Sequence, residues 1–337
     1  MICKALGGLN ERGNHCFLID YKPCPILLDC GLGGPKNPYP RLTEEITKNA
    51  GLLLVSHSHI DHIGSIPYLQ SLGFKGKILT SRTTFKTAGS PNGWDCLFIE
   101  PGETVEYRGI SVTAHRAGHC LGSLWFDIRV EGKSIVYSGD YMEGESYSND
   151  PIRGIEADLA ILDGSYYGKE VPDVKESTEK LKDLINRFEG RVIMPAPKNG
   201  RGLSLYALLR SFGYSVRIVG DPLQTTDASK WLEDPVGDIV SDPDGVSLLL
   251  TDKDFVNPET AKLVLEDKSR AMIFTGNLDP GSVAENLYNS RPNSFRCFYN
   301  AHQTQKELDN LLKSNLFKNI WLFSSEKTSY TSLQVEF

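Results

Sequence analysis

The segment VSHSHIDHIGS, residues 55–65, follows the apolar run GLLLV and places three histidines and one aspartate within six positions. The 337-residue chain contains seven histidines in all, so nearly half of them stand in this one segment. A strand that ends in polar side chains presents them at the edge of a sheet, where α/β proteins tend to place functional residues. The segment therefore predicts a buried strand, a polar turn and then a helix, IGSIPYLQSLG, that ends at Gly73.

The residue types in this segment are those that proteins use to bind transition metals. His57 and His59 lie two residues apart and can point to one ion, whereas Asp61 and His62 can turn toward a second ion. A lone histidine on an apolar face is usually structural, but three in a polar segment with an aspartate between them favour a metal site. Imidazole and carboxylate together suit zinc, with manganese or iron as alternatives.

Side chains of the same types recur where other apolar runs end. If these runs form neighbouring strands, the side chains converge on one rim of the fold. His119, in AGHCLGS, then offers a third imidazole to the first ion, and Asp140, in YSGDY, can bridge two ions through its two oxygens. The residues that stand at such positions are Asp29, His57, His119, Asp140, Asp163 and His302.

Four segments, LLDCG, HSHIDH, AGHCLGS and YSGDY, resemble in order and spacing the four successive motifs of the metallo-β-lactamase superfamily. The resemblance covers residues 1–145 and implies an α/β fold, an αββα sandwich with metals at one edge of its two sheets. By this match Asp29 orients the site from behind the ligands, and Asp61 also counts among the catalytic residues. The implied ligands are His57, His59 and His119 for the first metal, Asp61 and His62 for the second, and Asp140 as the bridge.

The remainder of the chain resembles the β-CASP branch of that superfamily, whose members cut RNA or DNA. LAILDGSYYG looks like its first additional motif, with Asp163 as the acid, and YNAHQTQKEL resembles its second, with His302 as the catalytic imidazole. RVIMPAPKNGRGLSLYALL is similar to the branch's Gly-Arg segment. The implied layout is a metallo-β-lactamase domain, 1–168 and 291–337, into which a cap domain, 169–290, is inserted to clamp the substrate.

The pattern of the inserted region supports a second α/β unit. From about residue 175 the chain alternates predicted helices and strands, and the stretch 227–257, rich in Asp, Pro and Gly, predicts a surface loop. Lys198 and Arg201 stand just before a predicted helix N-terminus, so they are candidates for contacting substrate phosphates. The alternative is that they are ordinary surface cations.

Structural roles are also considered for three other residues. Asp163 could simply cap the Asp-Gly turn that follows it, and His302 could begin a helix without taking part in chemistry. Cys120 is expected to pack near the metals rather than to bind them.

The chain departs from the superfamily pattern at the last motif. RNA-cutting members carry a histidine there, whereas the matching place in NIWLFSSEK is Ser324. Serine is a poor metal ligand, so the second metal is expected to rest on Asp61, His62 and Asp140. Ser324, a water or Glu326 would complete that second site.

The composition predicts where in the cell the protein is found. Seven scattered cysteines, odd in number and without a C-x-x-C pair, predict a reduced cytoplasmic protein. The N-terminal stretch lacks an apolar core of signal-peptide length, and no apolar run approaches the ~18 residues of a membrane span. The net charge of −7 gives no basic footprint and counts mildly against broad nucleic-acid binding.

The leading interpretation is a metal-dependent nuclease, a phosphodiesterase that acts on single-stranded RNA or DNA with one or two zinc ions. A metal-bound hydroxide would attack the phosphate, and His302, held by Asp163, would protonate the leaving oxygen. One alternative is a hydrolase for a small ester, lactone or thioester. Another is a non-catalytic scaffold, against which the intact ligand set argues, because buried polar clusters without a ligand are costly.

Overall fold

The computed structural model describes residues 1–143, 149–197, 200–219, 245–251, 267–276, 278, 280–299, 301–325, 328 and 332–337. The chain divides into two units. The first consists of Met1–Glu143, Asn149–Glu170 and His302–Phe337, and the second includes the described part of Val171–Ala301. No helix within the described ranges combines the length and the apolar character needed to cross a membrane.

A seven-stranded sheet carries the N-terminal part of the first unit. Its strands, in spatial order, are β20-β1-β2-β3-β4-β5-β6, with antiparallel pairing from β20 to β3 and parallel pairing from β3 to β6. The strands are β1 Ile2–Gly7, β2 Cys16–Asp20, β3 Ile26–Leu28, β4 Leu52–Leu54, β5 Lys77–Thr80, β6 Cys96–Phe98 and β20 Gln334–Glu336.

A six-stranded sheet forms the second layer of this unit, in the order β19-β12-β10-β9-β8-β7. Its strands are β7 Thr104–Tyr107, β8 Ile110–Arg116, β9 Leu124–Val130, β10 Lys133–Tyr137, β12 Leu159–Asp163 and β19 Ile320–Phe323. Two short strands pair in parallel with each other: β11 Glu156–Ala157, which precedes β12 in the chain, and β18 Leu316–Phe317, which precedes β19.

The alternation of side chains along the strands explains why the two sheets stack. Phe17 of β2 points to the other sheet, where its ring lies 5.8 Å from that of Tyr137 and 6.0 Å from that of Phe323. Its neighbour Leu18 points the opposite way and shares a buried cluster with Ile66. Ile66 belongs to one of the helices that flank this sheet, which are α1 Glu44–Asn49, α2 Ile60–Ile63, α3 Ile66–Ser71 and α4 Arg82–Thr87.

The second sheet is covered in the same manner on its other face. Leu308 and Leu311, from the helix at Gln305–Lys313, pack in one buried cluster with Val136 and Ala160 of the sheet. The layers therefore run helix, sheet, sheet, helix. The predicted α/β fold class is confirmed.

The second unit has a five-stranded parallel sheet in the order β14-β15-β13-β16-β17. The strands are β13 Val192–Pro197, β14 Val216–Val219, β15 Val246–Thr251, β16 Ala271–Phe274 and β17 Ser294–Arg296. The described helices of this unit are α5 Val174–Arg187, α6 Arg201–Ser211 and α7 Val283–Ser290, so the helix at Gln305–Lys313 in the first unit is α8.

The predicted surface loop over 227–257 is wrong at 246–251, where β15 pairs with both β13 and β14. The run VSLLLT has the length and the apolar character of a buried strand, but the Asp, Pro and Gly around it dominated the local composition. The rest of that stretch lies outside the described residues, as does nearly all of the helix predicted for NPETAKLVLED.

The predicted cap domain, 169–290, corresponds most closely to the second unit, which includes the described part of Val171–Ala301. Its sheet continues past residue 290, because β17 pairs in parallel with β16, and the unit runs to Ala301. The function of this unit as a cap stays a prediction.

Candidate metal centre

The candidate ligands occupy the ends of strands in the first unit. His57 follows β4 by three residues, and His119 lies in the loop between β8 and β9. Asp140 follows β10 by three residues. His59 precedes α2, a single turn of helix that carries Asp61 and His62. Parallel neighbours bring such ends to one edge of a sheet, which is why residues far apart in the sequence can meet there.

Three imidazoles converge in the first part of the cluster. His57 Nε2 lies 3.0 Å from His59 Nδ1, and His119 Nε2 lies 3.1 Å from the same atom. One oxygen of Asp140, Oδ2, is 3.7 Å from His57 Nε2 and 3.4 Å from His119 Nε2. These nitrogens and this oxygen surround one small volume. This is the donor set that a single zinc-like ion requires.

The second part of the cluster faces the other oxygen of Asp140. His62 Nε2 lies 3.2 Å from Asp140 Oδ1. Both atoms are buried, and neither has a hydrogen-bond partner that meets standard geometry among the described residues. Buried polar atoms nearly always have a partner, so two of them facing each other fit a bound cation. Because its two oxygens face different groups, Asp140 has the geometry of a bridge.

Asp29 holds two of the imidazoles in place. Its Oδ2 accepts a hydrogen bond from His62 Nδ1 at 2.6 Å and another from the Tyr137 hydroxyl. The Ser56 amide donates to Asp29 Oδ1 at 2.7 Å, and the Ser56 hydroxyl, which donates to Oδ2, is 3.0 Å from His57 Nδ1. Both histidines are thereby contacted at Nδ1, which leaves Nε2 for the cluster. Such outer contacts fix the tautomer and orientation of metal-binding histidines.

Asp163 and His302 form a second pair at the edge of the cluster. His302 Nδ1 donates to Asp163 Oδ2 at 2.7 Å, and this oxygen also accepts from the Tyr141 amide at 3.1 Å. The other oxygen accepts from the amide and the hydroxyl of Ser165. Gln303 donates to the Asp163 carbonyl at 2.7 Å, which ties the start of α8 to the end of β12. The orientation of the imidazole is therefore fixed by several contacts.

His302 also lies beside the metal cluster. Its Nδ1 is 3.9 Å from Asp140 Oδ2, and its ring centroid is 4.8 Å from that of His119. Its side chain keeps 19% of its surface exposed, whereas Asp163 is fully buried. His302 does stand just before a helix, because α8 begins at Gln305 with a capping box between Thr304 and Glu307. The contacts with Asp163 and the cluster exceed what a helix start needs.

Burial and neighbouring charges shift the pKa values of the cluster residues in different directions. Burial raises the pKa of Asp140, but the imidazoles of His62 and His302 outweigh it and hold that pKa well below its usual range. Burial lowers the pKa of His57, and the neighbouring His62 and His59 lower it further. Burial also lowers the pKa of His62, but the carboxylates of Asp140 and Asp29 outweigh it and raise that pKa well above its usual range. The pKa shifts of Asp140 and His57 favour the deprotonated forms that metal binding requires, whereas His62 would release a proton on binding a metal.

Two side chains besides the implied ligands lie at the cluster. Cys120 Sγ and the ligand nitrogens of His57, His59 and His119 all lie within 4.8 Å of one another, and burial raises the pKa of its thiol. His15, which no motif indicated, has a ring nitrogen within 4.8 Å of ligand atoms of Asp61 and His62. His15 stands directly before β2, whose start meets the end of β3 because the two strands are antiparallel, and no local sequence pattern marks this meeting.

The remaining predicted site residues lie elsewhere or outside the description. Ser324 follows β19, and its Oγ lies 2.8 Å from His15 Nε2. Arg201 belongs to the second unit, where it begins α6 and its guanidinium lies against Gly276. Lys198 and Glu326 lie outside the described residues. The roles of all four stay predictions.

Comparison with known families shows where the chain belongs. A family model for the beta-lactamase superfamily domain matches residues 25–194, which is half of the chain. The chain is a member of the β-lactamase superfamily. This match, together with the layers and the His/Asp cluster, indicates a metal-binding protein.

Curated relatives carry the comparison further. Endoribonuclease ysh1 from Emericella nidulans is 29% identical over 246 residues, which is 61% of this chain and 28% of that protein. The cleavage and polyadenylation specificity factor subunit 3 of Dictyostelium discoideum is 30% identical over 245 residues, 61% of this chain and 31% of that protein. These relatives confirm the resemblance to the β-CASP branch. The matched region spans less than a third of each relative.

A solved structure agrees with the fold over nearly the whole chain. A crystal structure of a protein of unknown function from Enterococcus faecalis V583 superimposes with a TM-score of 0.69. The superposition covers 99% of both chains at 13% sequence identity. At that identity the likeness establishes the fold alone.

Proposed function

We propose that this chain is a metal-dependent phosphodiesterase of the β-CASP type that cleaves RNA. The observation that carries the proposal is His302, which is held by the buried Asp163 at 2.7 Å and stands 4.8 Å, ring to ring, from His119. An imidazole fixed in this way beside a metal cluster suits a general acid next to a reacting phosphate. The names of the relatives support RNA as the substrate, because several are endoribonucleases.

We assign the metals as zinc, with manganese or iron as alternatives. His57, His59 and His119 would hold the first ion, and Asp61 and His62 the second, with Asp140 shared. Imidazole nitrogens dominate the first set, and this favours zinc over magnesium or calcium. When bound, the two ions supply an activated water and neutralise charge on the phosphoryl oxygens.

The proton that the leaving group needs comes from His302. Its Nδ1–H donates to Asp163, so Nε2 is the nitrogen that can hand a proton to an O3′ leaving oxygen. Burial lowers the pKa of His302, but the carboxylates of Asp163 and Asp140 outweigh it and raise the pKa to about 9. The imidazole therefore keeps its proton at neutral pH, as a general acid must.

Three finer assignments belong to the same proposal. The second unit would act as the cap that holds substrate, with Lys198 and Arg201 contacting phosphates. The substrate would be single-stranded. A cytoplasmic location is proposed from the reduced, unpaired cysteines alone.

The test combines metal analysis with cleavage of defined substrates. The purified protein should contain zinc and cleave end-labelled single-stranded RNA, and a chelator should abolish cleavage until zinc is restored. His302→Ala should lower cleavage while zinc content is unchanged. His115→Gln is the matched control, because the His115 ring stacks on Trp125, with ring centroids 3.9 Å apart, and His115 is not among the residues of the cluster. A zinc-loaded protein that hydrolyses small esters or thioesters but neither RNA nor DNA would overturn the proposal.

A further inference from the structure

His15 lies against the second part of the metal cluster although no superfamily motif includes it. Its side chain is fully buried directly before β2. Its ring centroid is 4.3 Å from that of His62, and its Nδ1 is 3.9 Å from Asp61 Oδ2. One ligand atom from each of these three residues can be chosen so that all lie within 4.8 Å of one another. That spacing suits a common ion.

The two ring nitrogens of His15 have different surroundings. Nε2 lies 2.8 Å from Ser324 Oγ, whereas Nδ1 is buried and has no hydrogen bond of standard geometry to any residue that the structure describes. A proton on Nε2 satisfies the serine contact and leaves the lone pair of Nδ1 on the side of Asp61. Metal-binding histidines have this arrangement: one nitrogen faces the metal, and the other donates to an oxygen.

The backbone fixes His15 in this place. The His15 amide donates to the Asp61 carbonyl at 3.2 Å, and the Gly31 amide donates to the His15 carbonyl at 2.9 Å. A Cβ on Gly31 would lie 1.6 Å from the Asp61 carbonyl oxygen, so only glycine permits this approach. The segment that carries His15 and the helix that carries Asp61 are therefore locked together.

The backbone also fixes the position of Ser324. It adopts φ 59, in the left-handed region that residues other than glycine seldom occupy, and its amide donates to the Gly8 carbonyl at 3.0 Å. This conformation at the end of β19 places the hydroxyl on His15. A backbone outlier beside a cluster of ligands often marks a positioned functional residue.

We propose that His15 is a protein ligand of the second metal through Nδ1, and that Ser324 holds its ring by accepting the Nε2–H hydrogen bond. The inference rests on the metal sites of the proposed function and adds a ligand that the motifs do not supply. The second site then consists of Asp61, His62, His15 and the shared Asp140. The imidazole that the superfamily takes from its last motif is supplied here from the segment before β2. Ser324 becomes a positioning residue, and no ligand is missing.

The decisive experiment measures zinc binding rather than turnover. The natural protein, stripped of metal, is titrated with zinc against a chromophoric chelator, beside His15→Gln and the control His115→Gln. We expect two bound zinc ions in the natural protein and in the control. In His15→Gln we expect the first ion to be unchanged and the affinity for the second to fall at least ~10- to 100-fold. Circular dichroism of the metal-free proteins checks that each variant folds.

The outcomes separate this inference from the proposed function. If His15→Gln binds two zinc ions as tightly as the natural protein, His15 is not a ligand and only this inference fails. If the natural protein binds neither zinc nor manganese, the proposed function fails and takes the inference with it.

Two further measurements keep the inference testable if His15→Gln does not fold. Nitrogen NMR of the histidine rings in the natural protein should show the His15 Nδ1 resonance shift on addition of the second zinc equivalent, and an unchanged resonance would overturn the inference. His15→Ser combined with Ser324→His moves the imidazole to the other side of the same contact. This pair should bind the second zinc more tightly than His15→Ser alone, and equal affinities would count against the inference.

Discussion

The two halves of the metal cluster take their ligands from the chain in different ways. The first half uses His57 and His59 from one turn and His119 from a single loop, all three imidazoles. The second half uses Asp61 and His62 from α2 and, by our proposal, an imidazole from the segment before β2. Asp140 serves both, with Oδ2 toward the first half and Oδ1 toward the second.

The difference in composition is also a difference in charge. Burial lowers the pKa of both His57 and His62, yet the pKa of His62 ends above its usual range because it lies between the carboxylates of Asp140 and Asp29. Burial is therefore the main cause at His57, whereas the neighbouring carboxylates outweigh burial at His62. Carboxylate-rich sites hold harder and more labile ions than imidazole-rich sites do. We expect the first half to bind its metal more tightly than the second.

The largest effect should come from the one residue that the two halves share. Asp140→Asn keeps the size of the side chain but removes the charge that faces His57, His119 and His62. We expect loss of the second metal, weaker binding of the first, and RNA cleavage lower by ~10⁴-fold or more, beyond the usual contribution of one acid–base group. Zinc content per chain and cleavage rate measure this. A variant that keeps two zinc ions would show that Asp140 is no bridge.

The next effect separates chemistry from metal binding. His302→Ala should lower cleavage ~10²- to 10⁴-fold, because it removes the proton donor, while both zinc affinities hold. Asp163→Asn should cause a smaller loss. The double variant should be little worse than His302→Ala, because the two residues act as one unit. Additive losses would contradict the pairing, and a fall in zinc content would assign His302 to the metal site.

The sequence was informative where function concentrates residue types in short segments. The turn at 55–65 and the strand ends at Asp29, Asp140 and Asp163 could be recognised because strand ends in α/β folds share an edge. His15 could not be, because its position depends on the antiparallel pairing of β2 with β3 and on the close approach at Gly31. Such contacts between distant segments leave no local pattern.

The same reasoning explains the missed strand β15. Four of its six residues are apolar, but they lie in a region of turn-forming composition, and their partners β13 and β14 are distant in sequence. Propensity and local composition cannot detect a strand that is stabilised mainly by its central place in a sheet. Ser324 was recognised as a departure from the motif, whereas its compensation by His15 needed the three-dimensional contact.

Removing the outer support of the ligands should weaken the halves unequally. Asp29→Asn keeps hydrogen-bonding capacity but replaces the carboxylate that accepts from His62 Nδ1 and from Ser56. We expect the second-metal affinity to fall ~10- to 100-fold, the usual cost of losing such a partner, and the first to fall less, because His57 is reached only through Ser56. Zinc titration measures both steps. Equal losses would mean that Asp29 supports the cluster as a whole.

The smallest effect tests the contact that distinguishes the two halves most directly. Ser324→Ala removes the acceptor for His15 Nε2–H but leaves the His15 ring in place. A hydrogen bond contributes ~0.5–1.5 kcal/mol, so the second-zinc affinity should fall only ~2- to 10-fold, with the first unchanged. Ser134→Ala is the matched control, because that buried serine contacts Asp158 and neither half of the cluster.

The pattern of the two zinc affinities in Ser324→Ala distinguishes positioning from general stability. A hydroxyl that merely supports the fold would affect both metals or neither, whereas one that orients His15 must affect the second alone. A selective loss much larger than tenfold would mean that Ser324 itself binds the metal. An unchanged second site would show that His15 is held by its backbone contacts with Asp61 and Gly31, and that the left-handed backbone of Ser324 serves packing against Gly8.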